Sequence, residues 1–247
     1  MSAKRTKTKS EKKEELQNTL FLDFNRNITL TEKQKQALKI ILNNKITLIT
    51  GPAGTSKTFV GCFAAAKMLS DKFCSKIILM RATEIVGGSD IGALPGDLEM
   101  KTIVYMGPYF QNLTSIINSH QIGKLFNDKV IEFKLVQYIR GLTFDESVIL
   151  IDECQNYDEK ELMAIVTRFS GRSNCRMIFM GDINQSDINR KFVALDVFKE
   201  ILTGVKDVGF FEFDINDTMR DKILIEIVNK YEKMKSEGKL TRNKNNS

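Results

Sequence analysis

Lys45-Ile46-Thr47-Leu48-Ile49-Thr50-Gly51-Pro52-Ala53-Gly54-Thr55-Ser56-Lys57-Thr58 is the stretch that decides how this 247-residue chain is read. Its first six residues are short, apolar and β-branched, the pattern of a buried strand. A glycine-containing turn follows, and the apolar run Phe59–Leu69 behind it predicts a helix. Strand, turn and helix in that order form the setting of a phosphate-binding loop. Glycine lets the backbone curl until successive N–H groups face inward at phosphate oxygens, and the helix N-terminus adds partial positive charge. Lys57 is placed to reach the β- and γ-phosphates of a nucleoside triphosphate, and Thr58 to offer its hydroxyl to Mg²⁺. The motif G-x-x-x-x-G-K-[ST] expects glycine where Ser56 stands, so a Cβ enters where backbone approaches phosphate. The plainer alternative is a strand–helix turn with an incidental lysine.

Working outward, Ser147–Ile151 is a second strongly apolar strand that runs into Asp152-Glu153. A triphosphate site needs an acid here to hold Mg²⁺, which fits Asp152, and a base to polarise the attacking water, which fits Glu153. Acids also favour helix N-termini, so a simple helix start stays open. Arg176–Met180 leads into Gly181-Asp182-Ile183-Asn184-Gln185. Polar groups at a strand end are where α/β sheets place ligand contacts, and Gln185 is placed to meet a γ-phosphate or the attacking water. An ordinary turn of Gly, Asp and Asn is the alternative.

The remaining pattern predicts helices at Thr31–Leu42 (Thr31 as N-cap), over much of 98–126, and at Asp158–Phe169, Val193–Leu202 and Asp217–Lys235. Further strands are expected at Lys76–Met80, Ile131–Val136 and Gly209–Phe213, with a glycine-rich loop at 82–97. Strands alternating with helices imply an α/β fold, a mainly parallel sheet with helices on both faces. No internal repeat, linker or second domain is visible. The expected layout is a disordered basic arm at 1–15, one domain at 16–236 and a basic tail at 237–247.

Charge sits at the ends. The formal net charge is +6, of which residues 1–15 carry +3 and 230–247 carry +4, leaving −1 for the body. Such ends permit salt-sensitive contact with phosphate backbones, or serve simply as solvated tails. A single histidine, His120, excludes multi-histidine zinc sites. The N-terminal charges have no apolar stretch behind them and no run reaches membrane-spanning length, so neither a secretion signal nor a membrane partner is expected. Cys62, Cys74, Cys154 and Cys175 form no CxxC pair and read as reduced thiols of a cytoplasmic protein.

Taken together, the motifs resemble the PhoH family of ATPases, related to the motor domains of superfamily 1 helicases. The resemblance runs from about Thr31 to Tyr231. Gly51–Thr58 is similar to the family's GPAGTGKT, with Thr31 and Gln34 ahead of it. Gly92–Leu98 with Lys101, Tyr138–Thr143, Asp152-Glu153-Cys154-Gln155-Asn156, Thr167-Arg168-Phe169, Gly181–Asp187 and the closing helix with Arg220 match further family segments in order. Ser56, Ala82 after Arg81, the longer Glu84–Asp90 segment, Leu142 and Thr218-Met219 depart from it. The resemblance implies a single RecA-like P-loop NTPase domain that binds and hydrolyses ATP with Mg²⁺. It gives Gln34 the adenine edge and makes Arg220 a candidate arginine finger, with a surface arginine as the alternative. It also implies RNA or single-stranded DNA as a partner and a homo-oligomeric ring, such as a hexamer. A nucleic-acid-binding module that uses ATP as a switch with little hydrolysis is the competing reading. A domain that kept only the fold is a third, opposed by Lys57, Asp152 and Glu153.

Overall fold

The order of elements follows the apolar pattern closely. In chain order they are α1 (Glu32–Asn43), β1 (Ile46–Thr50), α2 (Lys57–Ser70), β2 (Lys76–Arg81), α3 (Leu98–Ile116), α4 (Ser119–Asn127), β3 (Ile131–Phe133), β4 (Ser147–Asp152), α5 (Glu159–Val166), β5 (Arg176–Gly181), α6 (Lys191–Leu202) and β6 (Val208–Glu212). This computed structural model describes residues 22–82, 98–171, 174–182, 191–219 and the helical residues 223, 226, 227, 230, 233 and 234. The expected arm at 1–15, the tail at 237–247, the loop from 83 to 97, Gln185 and Arg220 lie outside the described residues.

Two helix starts show why these segments begin where they do. Thr31 accepts a hydrogen bond from the Gln34 backbone N–H, and the Gln34 side chain accepts one back from the Thr31 N–H. Asp158 and Glu161 do the same for α5. Each box satisfies two backbone donors that a helix start would otherwise leave unpaired.

The six strands pair in the order β3-β2-β4-β5-β1-β6, and every pairing between them is parallel. Side chains alternate between the faces with the period of two that a strand imposes. Ile77, Leu79, Val148, Leu150, Ile178 and Met180 join one core with α1–α4. Ile78, Met80, Ile149, Ile151, Met177 and Phe179 join a second core with α5 and α6. Helices thus cover both faces, and all six residues of β4 are buried, as a doubly covered parallel strand requires.

Register places the functional strand ends together. Thr50 lies opposite Gly181, and Arg81 opposite Asp152. The phosphate-loop segment after β1, the acids at the end of β4, Gly181-Asp182 and Arg81 therefore leave the sheet from one edge, the side on which open α/β sheets bind ligands.

Two predicted elements differ. The strand expected at Ile131–Val136 stops at Phe133. Lys134 still donates to the Leu79 carbonyl at 2.9 Å, and the chain then turns into a 3₁₀ segment at Val136–Tyr138. Leu135 is buried and Val136 packs on the second core, so both leave solvent without extending the strand. The helix expected from Asp217 does not start there. Asp214 caps a 3₁₀ turn at Ile215–Asp217, and Thr218 is extended. Ile223 and Ile227, helical further on, are more than half exposed. All four cysteines are free and buried, and burial pushes every thiol above its ordinary value, away from nucleophilic chemistry. Among the described residues no helix is long and apolar enough to cross a membrane.

Candidate functional site

The loop between β1 and α2 owes its shape to one close approach. The Phe213 N–H donates to the Thr50 carbonyl at 2.8 Å, drawing that chain across the end of β1. A Cβ on Gly51 would sit 2.6 Å from the Phe213 carbonyl oxygen, and Gly51 has φ +146. Both conditions demand glycine. Gly54 also has positive φ, and its carbonyl accepts from the Met219 N–H at 3.0 Å. Thr55 closes the turn by donating to the Pro52 carbonyl at 2.8 Å. Ser56, where the motif expects glycine, holds φ 67 and ψ 21. The left-handed region explains the expected glycine, and costs an L side chain about 1–2 kcal/mol.

Lys57 curls back into this loop and donates to the carbonyls of Gly51 at 2.6 Å and Pro52 at 2.8 Å. Its ammonium is thus held inside the turn. Thr58, one residue on, donates to Asp152 Oδ2 at 3.1 Å across the sheet edge. The contact joins two hard oxygen donors of the kind Mg²⁺ takes when phosphates and waters supply the rest. Among the described residues no group of three or more His, Cys, Asp or Glu is built to hold a metal alone. A metal site here would be one completed by its nucleotide.

Asp152 is buried, and its pKa is raised from 3.8 to about 6. Burial is the main cause and the Glu153 charge adds to it, while Arg81 and the Thr58 hydroxyl pull the other way. Glu153 sits in the left-handed region at φ 54. Backbone strain of this kind persists only where surroundings enforce it, and here they do. Arg81 Nη2 meets Glu153 Oε1 at 2.9 Å, and Gln155 Nε2 donates to Oε2 at 2.7 Å. Gln155 Oε1 in turn accepts from the Asp182 N–H at 3.0 Å. A Cβ on Gly181 would come within 3.0 Å of that Gln155 oxygen, so glycine keeps the path of the side chain open.

These groups share a cleft of about 530 Å³, lined among others by Ile28, Gln34, Lys57, Phe59, Arg81, Asp152, Glu153 and Met219. Ala53, Gly54, Ser56 and Thr58 line it too, whereas Gly51 and Thr55 are buried beneath it and shape the loop. Gln34 reaches the cleft, but its Oε1 is engaged by the Thr31 N–H at 2.9 Å, which leaves Nε2 as the group to offer a base. Gln185 and Arg220 lie outside the described residues. Sequence reasoning gave Arg81, Gln155 and Met219 no role in the nucleotide cleft, although Gln155 lies in the family segment Asp152–Asn156. A lone arginine closing an apolar strand was the available signal for Arg81.

The PhoH-like protein family model matches residues 28–232. The chain belongs to that family. It is 33% identical over 204 residues to a PhoH-like protein of Synechocystis sp., covering 82% of this chain and 61% of that protein. It is 30% identical over 204 residues to one of Bacillus subtilis, covering 82% and 63%. The matched region therefore spans about three fifths of these PhoH-like relatives. Among solved structures, the UvsW helicase of bacteriophage T4 aligns with a TM-score of 0.47 at 13% identity, over 84% of this chain and 69% of that one. The large terminase of a thermophilic bacteriophage aligns with a TM-score of 0.48 at 17% identity, over 83% and 50%. As a PhoH-like chain with a wholly parallel six-stranded sheet covered by helices on both faces, it has the α/β architecture the motifs implied.

Proposed function

We propose that this PhoH-like domain binds ATP with Mg²⁺ in the cleft and hydrolyses it to ADP and phosphate, coupled to RNA or single-stranded DNA. The observation that carries the reading is the 3.1 Å contact between Thr58 and Asp152, with Lys57 and Glu153 lining the same cleft. In this reading residues 51–58 cradle the phosphates with their N–H groups, and Lys57 exchanges the loop carbonyls for β- and γ-phosphate oxygens. Thr58 and Asp152 hold the metal, whose contribution is to neutralise phosphate charge. Glu153 takes the proton from the attacking water, and Gln185 contacts the γ-phosphate. Gln34 donates to the adenine edge, and Arg220 acts as an arginine finger within the chain or from a neighbouring copy in a ring. The nucleic-acid partner rests on the family resemblance and on the basic ends.

The test is ATP turnover by the purified chain with and without RNA or single-stranded DNA, beside Lys57→Ala and Glu153→Gln. Lys57→Ala should abolish binding or turnover, and Glu153→Gln should bind ATP but turn it over far more slowly. Turnover that survives Lys57→Ala overturns the assignment. The switch reading, with binding and little hydrolysis, draws support from strained Ser56 and from the engagement of both Glu153 oxygens. Tight binding with no turnover under either condition selects it.

A further inference from the structure

Arg81 closes β2 directly opposite Asp152 and reaches both members of the acidic pair. Nη2 lies 2.9 Å from Glu153 Oε1, and Nη1 lies 3.7 Å from Asp152 Oδ2. That Oδ2 is the oxygen that accepts from Thr58. The guanidinium is four-fifths buried and Asp152 almost wholly so. Two adjacent carboxylates at a desolvated strand end need a counter-charge, because unpaired buried charge is strongly penalised. In this structure Arg81 supplies it. Lys57, the other cation among the described residues lining the cleft, is directed to the loop carbonyls.

A divalent ion held by Thr58 and Asp152 would press on the same oxygen. Cations a few ångströms apart in a poorly solvated cleft repel strongly, so metal and guanidinium are alternatives at Oδ2. We propose that Arg81 is the resting counter-ion of the Asp152–Glu153 pair, displaced when metal and nucleotide load. Its second contact gives the exchange a consequence. Glu153 Oε1 is occupied by Arg81 and Oε2 by Gln155. Withdrawal of Arg81 uncovers Oε1, so loading the metal and freeing the base become one event. Arg81 is then a positioning residue for Glu153 and sets the metal concentration at which the site closes. The inference rests on the reading of Thr58–Asp152 as the metal site.

The experiment is a fluorescent-ADP titration of the full chain over a Mg²⁺ series, comparing wild type with Arg81→Gln and Arg81→Lys. Arg81→Gln should lower the Mg²⁺ concentration at half-saturation about tenfold, the scale on which one nearby charge acts. Its affinity for ADP in EDTA should change less than about twofold, and Arg81→Lys should stay near wild type. A midpoint that is unchanged or raised in Arg81→Gln overturns the inference while leaving the metal site standing. Wild type that binds ADP equally with and without Mg²⁺ overturns the metal site and the inference together. Because Arg81→Gln risks misfolding, the second measurement uses wild-type protein. The side-chain ¹⁵N resonance of Arg81, assigned by its loss in Arg81→Lys, should shift on adding Mg²⁺ with ADP but not ADP in EDTA. A resonance that ignores Mg²⁺ with ADP overturns the exchange.

Discussion

Replacing Asp152 by asparagine should make the metal-free protein more stable at neutral pH while disabling the site. Asp152 is buried and its carboxyl titrates at about 6 instead of 3.8. The unfolded chain ionises the group more readily than the folded one, so the charge opposes folding from about pH 4 upward and does so fully above about pH 6. At about 1.4 kcal/mol per pH unit of separation, the cost approaches about 3 kcal/mol at pH 7.5. It falls to about 1.5 kcal/mol at pH 5 and to about 0.5 kcal/mol at pH 4, where the folded state is protonated and the unfolded state is nearing its own midpoint. The attraction of Arg81 already works against the rise, so its loss in the variant is included in that figure. Asparagine keeps an oxygen for the Thr58 hydroxyl. For a chain of this length the gain corresponds to roughly 6–12 °C in Tm. The assay is thermal or urea unfolding of both proteins in EDTA at pH 7.5, 5 and 4. The variant should unfold later at pH 7.5, and the gap should close as pH falls through 6 toward 4. A variant no more stable at pH 7.5, or one whose advantage is the same at pH 4, refutes the assignment of the cost to the ionised carboxylate. In the same variant, Mg²⁺ should no longer tighten nucleotide binding.

Three further outcomes are expected. Gln34→Ala should cost about 0.5–1 kcal/mol of stability, because it removes the Gln34 half of the capping box while the Thr31 hydroxyl stays engaged, whereas Gln34→Glu keeps an oxygen for the Thr31 N–H and should melt near wild type. Both should bind ATP more weakly, and equal ATP affinity in Gln34→Glu would show that Nε2 does not meet the base. Ser56→Gly should raise stability by about 1 kcal/mol by removing a left-handed serine, and should tighten ATP binding; an unchanged melting curve argues against strain at this position. Removing 1–15 and 239–247 should weaken RNA and single-stranded DNA binding alike and flatten the slope of log affinity against log salt. A slope equal to that of the full chain rules the ends out as the main contact.

The fold was legible wherever one physical requirement dominated. β1, β2, β4 and β5 are apolar runs with no competing use for their residues, and the structure confirms each one within a residue or two. Thr31 and Asp158 signal helix starts because their hydroxyl and carboxylate have a defined task there. Local pattern gives no strand order, however. Nothing in the residues of β5 announces that it lies between β1 and β4, since the interior positions of all three are Val, Ile, Leu, Met, Phe or Thr and fit any central position. It also fails where a residue has a distant alternative. Leu135 and Val136 look like a continuing strand but pack beside a 3₁₀ turn. Met219 looks like the first turn of a helix, yet its N–H goes to Gly54.

The same distinction separates the parts of the site. Gly51, Lys57, Thr58, Asp152 and Glu153 stand out because their chemistry follows from residue type and position after a strand. Gly51 could even be read for a wrong reason: its freedom matters here as much for the approach of Phe213, 162 positions away in the chain, as for the phosphate loop. Arg81 has no such local signature, and Gln155 stands out only as part of the family segment Asp152–Asn156, which gives it no partner. Arg81 acquires its role only through the register that sets it opposite Asp152. Gln155 acquires its role only because Gly181 leaves room for the amide to span from Glu153 to Asp182. The left-handed backbone at Glu153 makes the point in energetic terms. A glutamate adopts φ 54 at a cost of about 1–2 kcal/mol, and the ion pair with Arg81 and the amide of Gln155 hold it there. The conformation of Glu153 is therefore decided by side chains from β2 and from the segment behind it, and a change at either partner should be felt at Glu153 before it is felt by the fold.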